Sequence, residues 1–376
     1  MTVFDCDTQT DTDRKNLPES VFGYLNRSAK RGSAAIRALM EGWLAQVPIS
    51  ERSEFCSRFR SCDDTQFVAA FQELFLHEFL RRQMCVLEFH PIIPGSSKRP
   101  DFRVCPPHGH DFILEARVAT DVASGPKSNP RGDRIREFLR QMDLDGCRLG
   151  IDELTVGTKD LQQKALRKHI VDAIAAHRDK GDSSSRIPEY TTADGWRIQL
   201  TAFSSRRYGN GGASTVMQEA WSRTWSGPSY PLREALRKKA GKYGPLGMPY
   251  VIAINSADVM LTDRDFDETL FGVRPGITIA GMTDKLARGF WGTEHAPDHR
   301  RVSAVLFTKN LWPATVLMGQ VYACLYLNPW AERPYDGLLA QLPTFRLENG
   351  ESREYPGKTW YELMSLKPLA DKSLWD

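Results

Sequence analysis

The chain has 376 residues, 41% of them hydrophobic, 10% aromatic and 26% charged, so it can bury a substantial core in one large domain or two intimately packed ones. No apolar run is long enough to cross a bilayer, which sets membrane insertion aside. A net charge of +3 and a pI near 8.4 are too mild to establish a polyanionic partner by themselves, so local clusters must carry that argument.

Residues 1–15, where Asp5, Asp7, Asp11 and Asp13 sit among threonines, read as a disordered start without a signal-peptide pattern. Amphipathic helical patterns over residues 21–47 and 51–59 predict a helical cap spanning 16–64. A further helix follows, its apolar stripe formed by Phe67, Val68, Phe71, Leu74, Phe75 and Phe79. Glu78 falls near the centre of that stripe and Glu73 toward its edge, so both are candidate site carboxylates, with Glu73 preferred.

Pro100-Asp101 opens a short strand, residues 101–104, and the segment 105–110 is rich in Pro, Gly and His, as a hairpin connection would be. The run 111–118 alternates with period two, placing Phe112, Leu114, Ala116 and Val118 on one face and Ile113, Glu115 and Arg117 on the other. Pairing across the hairpin would bring Asp101 beside Glu115. Two carboxylates held close repel unless a cation sits between them, and hard oxygen ligands suit Mg²⁺ or Mn²⁺.

Taken together, Glu73, Pro100-Asp101 and Glu115-Ala116-Arg117 resemble the PD-(D/E)xK nuclease superfamily, whose restriction-endonuclease-like core runs helix, strand hairpin, strand, helix, strand. The resemblance implies an α/β fold with a mixed central sheet flanked by helices over residues 65–255, and a β-containing C-terminal extension over 256–376. It implies Asp101 and Glu115 as metal ligands, Glu73 as the helix carboxylate that completes or orients the metal shell, and Arg117 where the family usually has its lysine. Arginine stays protonated, so Arg117 can stabilise phosphorane charge but cannot accept a water's proton. Lys98 or Lys242 can supply the missing ammonium, and the sequence does not choose between them.

Helical patterning continues over 159–177, followed by a strand over 196–203 and the loop 204–212, where Arg206, Arg207 and Tyr208 could grip phosphates and stack on a base. Residues 231–240 form a basic amphipathic helix with Leu232, Ala235, Leu236 and Ala240 opposite Arg233, Arg237, Lys238 and Lys239, leading into a strand over 250–255. Lys98, Arg99, Arg206, Arg207, Lys238, Lys239 and Lys242 are thus the candidate nucleic-acid contacts. Strands over 302–307 and 321–327 close the pattern, in a part that could extend the sheet, read the substrate or contact a second subunit as a homodimer.

Rival metal sites are weak. Cys105, His108 and His110 lack a second half, and Pro297 separates His295 from His299, disfavouring one helical face for both. The seven scattered cysteines contain no Cys-x-x-Cys pair, so reduced thiols in a cytoplasm are expected. The sequence reading is therefore a Mg²⁺- or Mn²⁺-dependent endonuclease acting on double-stranded DNA, with bacterial or phage defence as the setting the resemblance suggests. The alternatives are a catalytically weak or inactive nuclease-like scaffold that binds nucleic acid or a protein, and a ribonuclease.

Overall fold

A computed structural model describes residues 2–5, 8–16, 19–119, 129–142, 144, 147–178, 184–204, 216–217, 229–256, 263–272 and 288–369. In chain order the first elements are α1 (Val21–Arg27), α2 (Arg31–Leu44), α3 (Ile49–Arg60), α4 (Asp64–Arg82), β1 (Val86–Phe89), β2 (Phe102–Cys105) and β3 (Phe112–Ala119). Next come α5 (Pro130–Gln141), β4 (Cys147–Thr155), α6 (Gln163–Arg178), β5 (Ser184–Arg186), β6 (Tyr190–Thr191), β7 (Arg197–Ser204) and β8 (Val216–Met217). The rest are α7 (Ser229–Ala240), β9 (Tyr250–Ser256), α8 (Asp263–Phe271), β10 (Gly292–Thr293), β11 (Ala296–Pro297), β12 (Ala304–Lys309), α9 (Pro313–Met318), β13 (Tyr322–Leu327), β14 (Thr344–Glu348), β15 (Glu351–Tyr355) and α10 (Trp360–Met364).

The protein is α/β and falls into two compact units. The first comprises residues 1–13, 20–123 and 226–376, and the second residues 14–19 and 124–225. In the first unit eight strands form one mixed sheet in the order β1-β2-β3-β9-β12-β13-β14-β15, with β3, β9 and β12 parallel at its centre. Central parallel strands are covered on both faces, which is why β9 reads YVIAINS and is buried throughout.

Alternation along β3 sends its two faces into two cores. Phe112, Leu114 and Ala116 pack with α4 residues such as Phe71 and Phe75, while Ile113 packs with Leu232 and Leu236 of α7 and Phe266 of α8. Each buried Phe or Leu contributes roughly 1.5–3 kcal/mol. The C-terminal strands β12 to β15 belong to this same sheet and extend it beyond β9.

Two local expectations need correction. The start of the chain is packed rather than disordered: Val3 and Phe4 are buried, and both backbone N–H groups donate to the Glu41 carboxylate, at 2.7 and 2.9 Å. The helix expected over 21–47 is broken in two, because Ser28 leaves helical geometry after α1 and Lys30 starts α2 from an extended conformation.

The second unit has its own sheet, β5-β7-β4-β8 with β6 added to β7, and its own core of Ile135, Leu139, Leu166, Ile170, Trp196 and their neighbours. Gly157 lies so close to the Trp196 indole that a Cβ would collide with the ring. The indole N–H donates to the Lys159 carbonyl at 2.8 Å, which fixes the approach to α6.

Candidate functional site

The β2–β3 hairpin builds the site. Phe102 pairs with Leu114 in antiparallel register, so Asp101, one residue before β2, comes to the Glu115–Ala116 stretch of β3. Its Oδ2 accepts the Ala116 backbone N–H at 2.6 Å. Burial, then the negative charges of Glu115 and Glu73, push the Asp101 carboxyl up to about 8, against partial relief from Lys239 and that backbone bond.

Glu115 is fully buried on the α7 face of the sheet. Its Oε1 takes both ammonium groups from the end of α7 and the turn after it: Lys239, in close contact, and Lys242 at 2.9 Å. Its Oε2 accepts the Tyr243 hydroxyl, which also lies 3.1 Å from the Arg99 carbonyl oxygen. Lys239 sits in the last turn of α7, and Lys242 and Tyr243 in the turn that follows it, so the reversal of the chain after the helix brings all three side chains to Glu115. Burial and the Glu115 charge drive the Tyr243 hydroxyl far above its ordinary value, so it stays protonated as a donor.

Glu73 approaches from the other side of the sheet. Both its oxygens are held by Arg58 of α3 in a fork at 2.6 Å and 2.6 Å, yet its charge still reaches Asp101. Burial alone would lower the Arg58 value, but the Glu73 carboxylate raises it. Glu78, the other candidate on α4, is occupied elsewhere. It is buried, and Arg81 and Arg82 bind it at 2.7 to 3.1 Å, holding its carboxyl below the usual range despite burial. Arg82 also donates to the Met364 carbonyl, so this cluster ties α4 to α10.

The structure therefore gathers Asp101, Glu115, Lys239, Lys242 and Tyr243 directly and Glu73 through its field. Arg117 is not among them: it is exposed on β3, and its side chain has no hydrogen bond or ion pair among the described residues. Lys98, Arg99 and Lys238 are exposed, whereas Lys239 and Lys242, expected to face nucleic acid, turn inward to Glu115. Arg206 and Arg207 lie outside the described residues.

Sequence reasoning named Lys242 as a source of the missing ammonium but not Arg58 or Tyr243. Tyr243 lies in the turn after α7, where no helical periodicity points it toward Glu115. Arg58 carries no signal either, because a pair between two helices leaves no periodic trace.

Among the described residues, the trio of ligating groups whose donor atoms all lie within 4.8 Å of one another is Glu51, Glu54 and His90. Glu73, Asp101 and Glu115 do not form such a trio. Carboxylate oxygens at Asp101 and Glu115 nevertheless fit a hard divalent cation by their chemistry, and such an ion would offset both the burial of the Asp101 charge and its repulsion by Glu115 and Glu73. No described helix is long and apolar enough to cross a membrane. The chain matches no family model, no curated protein and no solved structure.

Proposed function

We propose that the chain is a divalent-metal-dependent phosphodiesterase acting on nucleic acid, with double-stranded DNA as substrate and a restriction-endonuclease-like core. The observation that carries this reading is the meeting of Asp101 and Glu115 across a hairpin, with Asp101 pushed up by burial and then by its acidic neighbours, and two lysines beside Glu115. Strongly perturbed carboxyls next to specific charge partners concentrate at functional sites. The order α4, β1–β2, β3, α7, β9, with β3 and β9 parallel, supports the core assignment.

In this reading Asp101 and Glu115 hold Mg²⁺ or Mn²⁺, and Glu73, locked by Arg58, sets the local charge. The metal, when bound, polarises a phosphoryl oxygen and acidifies a water. Lys239 or Lys242 would take the place of the motif lysine, supplying an ammonium that offsets negative charge on the phosphate being cleaved. Tyr243 holds the second oxygen of Glu115 in place.

A second reading has one observation in its favour. Glu73 is paired with Arg58 and Glu115 with Lys239 and Lys242, so two of the three acids already have cationic partners of the protein's own, as in a nucleic-acid-binding scaffold without activity. Incubating the purified protein with supercoiled plasmid, linear duplex and structured RNA, in Mn²⁺ or in chelator, separates the two. The proposal expects strand cleavage that needs Mn²⁺ and disappears in Asp101→Asn. Binding of duplex with no cleavage of any substrate would establish the scaffold instead, and RNA-only cleavage would change the substrate.

A further inference from the structure

In the second unit, α6 turns a run of cations to solvent. Lys164, Arg167 and Lys168 stand at i, i+3 and i+4 and are all exposed, while Leu166 and Ile170 bury the opposite side of the helix in the core. Like charges at this spacing repel, and none of the three side chains has an ion pair or hydrogen bond among the described residues; the one acid on this part of the helix, Asp172, stands a turn beyond Lys168. Other arginines of the same unit are matched, Arg131 and Arg134 by Asp160, Arg136 by Asp133 and Arg197 by Glu189. The unit also holds the chain's excess of positive charge. Residues 14–19 and 124–225 contain 19 Lys and Arg against 14 Asp and Glu, whereas the remainder has 31 against 33.

We propose that the exposed face of α6 is a docking surface for the phosphate backbone of nucleic acid. Charge complementarity selects this occupant. Duplex DNA carries about one negative charge per 1.7 Å of axis, so three cations within about one helical turn meet phosphates in any register, without reading bases. The surface does not depend on the metal-site reading, because backbone binding needs neither cleavage nor a divalent ion.

The test is fluorescence anisotropy of the full chain with a labelled duplex of about 25 base pairs, in chelator, across a salt series. Lys164→Gln/Arg167→Gln/Lys168→Gln should weaken binding by about tenfold or more near 0.1 M salt and lower the slope of log K against log salt by about 2 to 3. A control with equal charge loss at exposed positions of the first unit, Arg301→Gln/Arg333→Gln/Lys358→Gln, should bind within about twofold of the parent. The neutral substitutions keep the helix, and circular dichroism verifies the fold of each variant. Binding by the α6 variant within twofold of the parent would overturn the proposal, as would equal losses in the control, or a parent that prefers vesicles rich in phosphatidylserine to the duplex. If the α6 variant loses binding while the parent cuts nothing in Mn²⁺, the docking surface stands and the nuclease reading falls.

Discussion

Glu78 and Glu115 are both buried carboxylates in the first unit, each held by two basic side chains, yet they differ in how the charge is met. Glu78 is answered from its own helix, by Arg81 and Arg82 one turn away, and its carboxyl sits below the ordinary range. Glu115 is answered from 124 and 127 residues away, and a second acid, Asp101, stands beside it pushed up to about 8. The first arrangement is charge fully satisfied, which suits a helix end docked on α10. The second leaves a buried carboxyl beside other acids, an arrangement that only tertiary structure assembles and that makes it the candidate site.

Replacing Glu115 should have the largest effect. Glu115→Ala strands Lys239 and Lys242 in a partly enclosed pocket, and losing one side of a buried ion cluster costs about 3–5 kcal/mol, readable in urea denaturation, together with loss of cleavage. The comparison would break if Glu115→Ala proved as stable as the parent.

Asp101→Asn should act in the opposite sense on stability while still abolishing cleavage. The folded pKa of Asp101 lies above its ordinary 3.8, so its contribution is fully present below about pH 4 and is lost as pH rises through about 8. The metal-free protein should therefore lose stability across that window with a slope of at most about 1.4 kcal/mol per pH unit from this group. Asn keeps a side-chain oxygen for the Ala116 N–H and removes the titration, so the variant's stability profile should be flatter. A profile as steep as the parent's would place the strain elsewhere.

Glu78→Gln should cost about 1–3 kcal/mol, since two arginine bonds weaken in a buried setting, and leave the rate of cleavage within about twofold. Arg117→Ala should do least: with no partner on β3, its removal should change stability by less than about 0.5 kcal/mol. Activity lost in Arg117→Ala but retained in Lys239→Ala and Lys242→Ala would return the lysine's place to residue 117.

How much of this was legible in the sequence follows from range. The hairpin around 105–110 and the split faces of β3 were readable, because turn chemistry and period two are local, and with them the meeting of Asp101 and Glu115. Lys239 was legible as a cation on an amphipathic helix but not as a partner of Glu115, since its exposure depends on where α7 lands on the sheet. The packed N-terminus was hidden as well: Val3 and Phe4 are apolar positions in a polar stretch, and only the fold supplies Glu41 to satisfy their backbone. Likewise, the separation of residues 124–225 as a second unit lies in contacts that no local pattern records.

The central claim is that the tension between Asp101 and Glu115 is a place for a divalent cation, and calorimetric titration of the metal-free protein with Mn²⁺ tests it most directly. The account predicts saturable binding that tightens from pH 6 to pH 8.5, as the Asp101 proton is released, and that vanishes in Asp101→Asn. Binding that persists unchanged in that variant, or no binding by the parent at any pH, would contradict it.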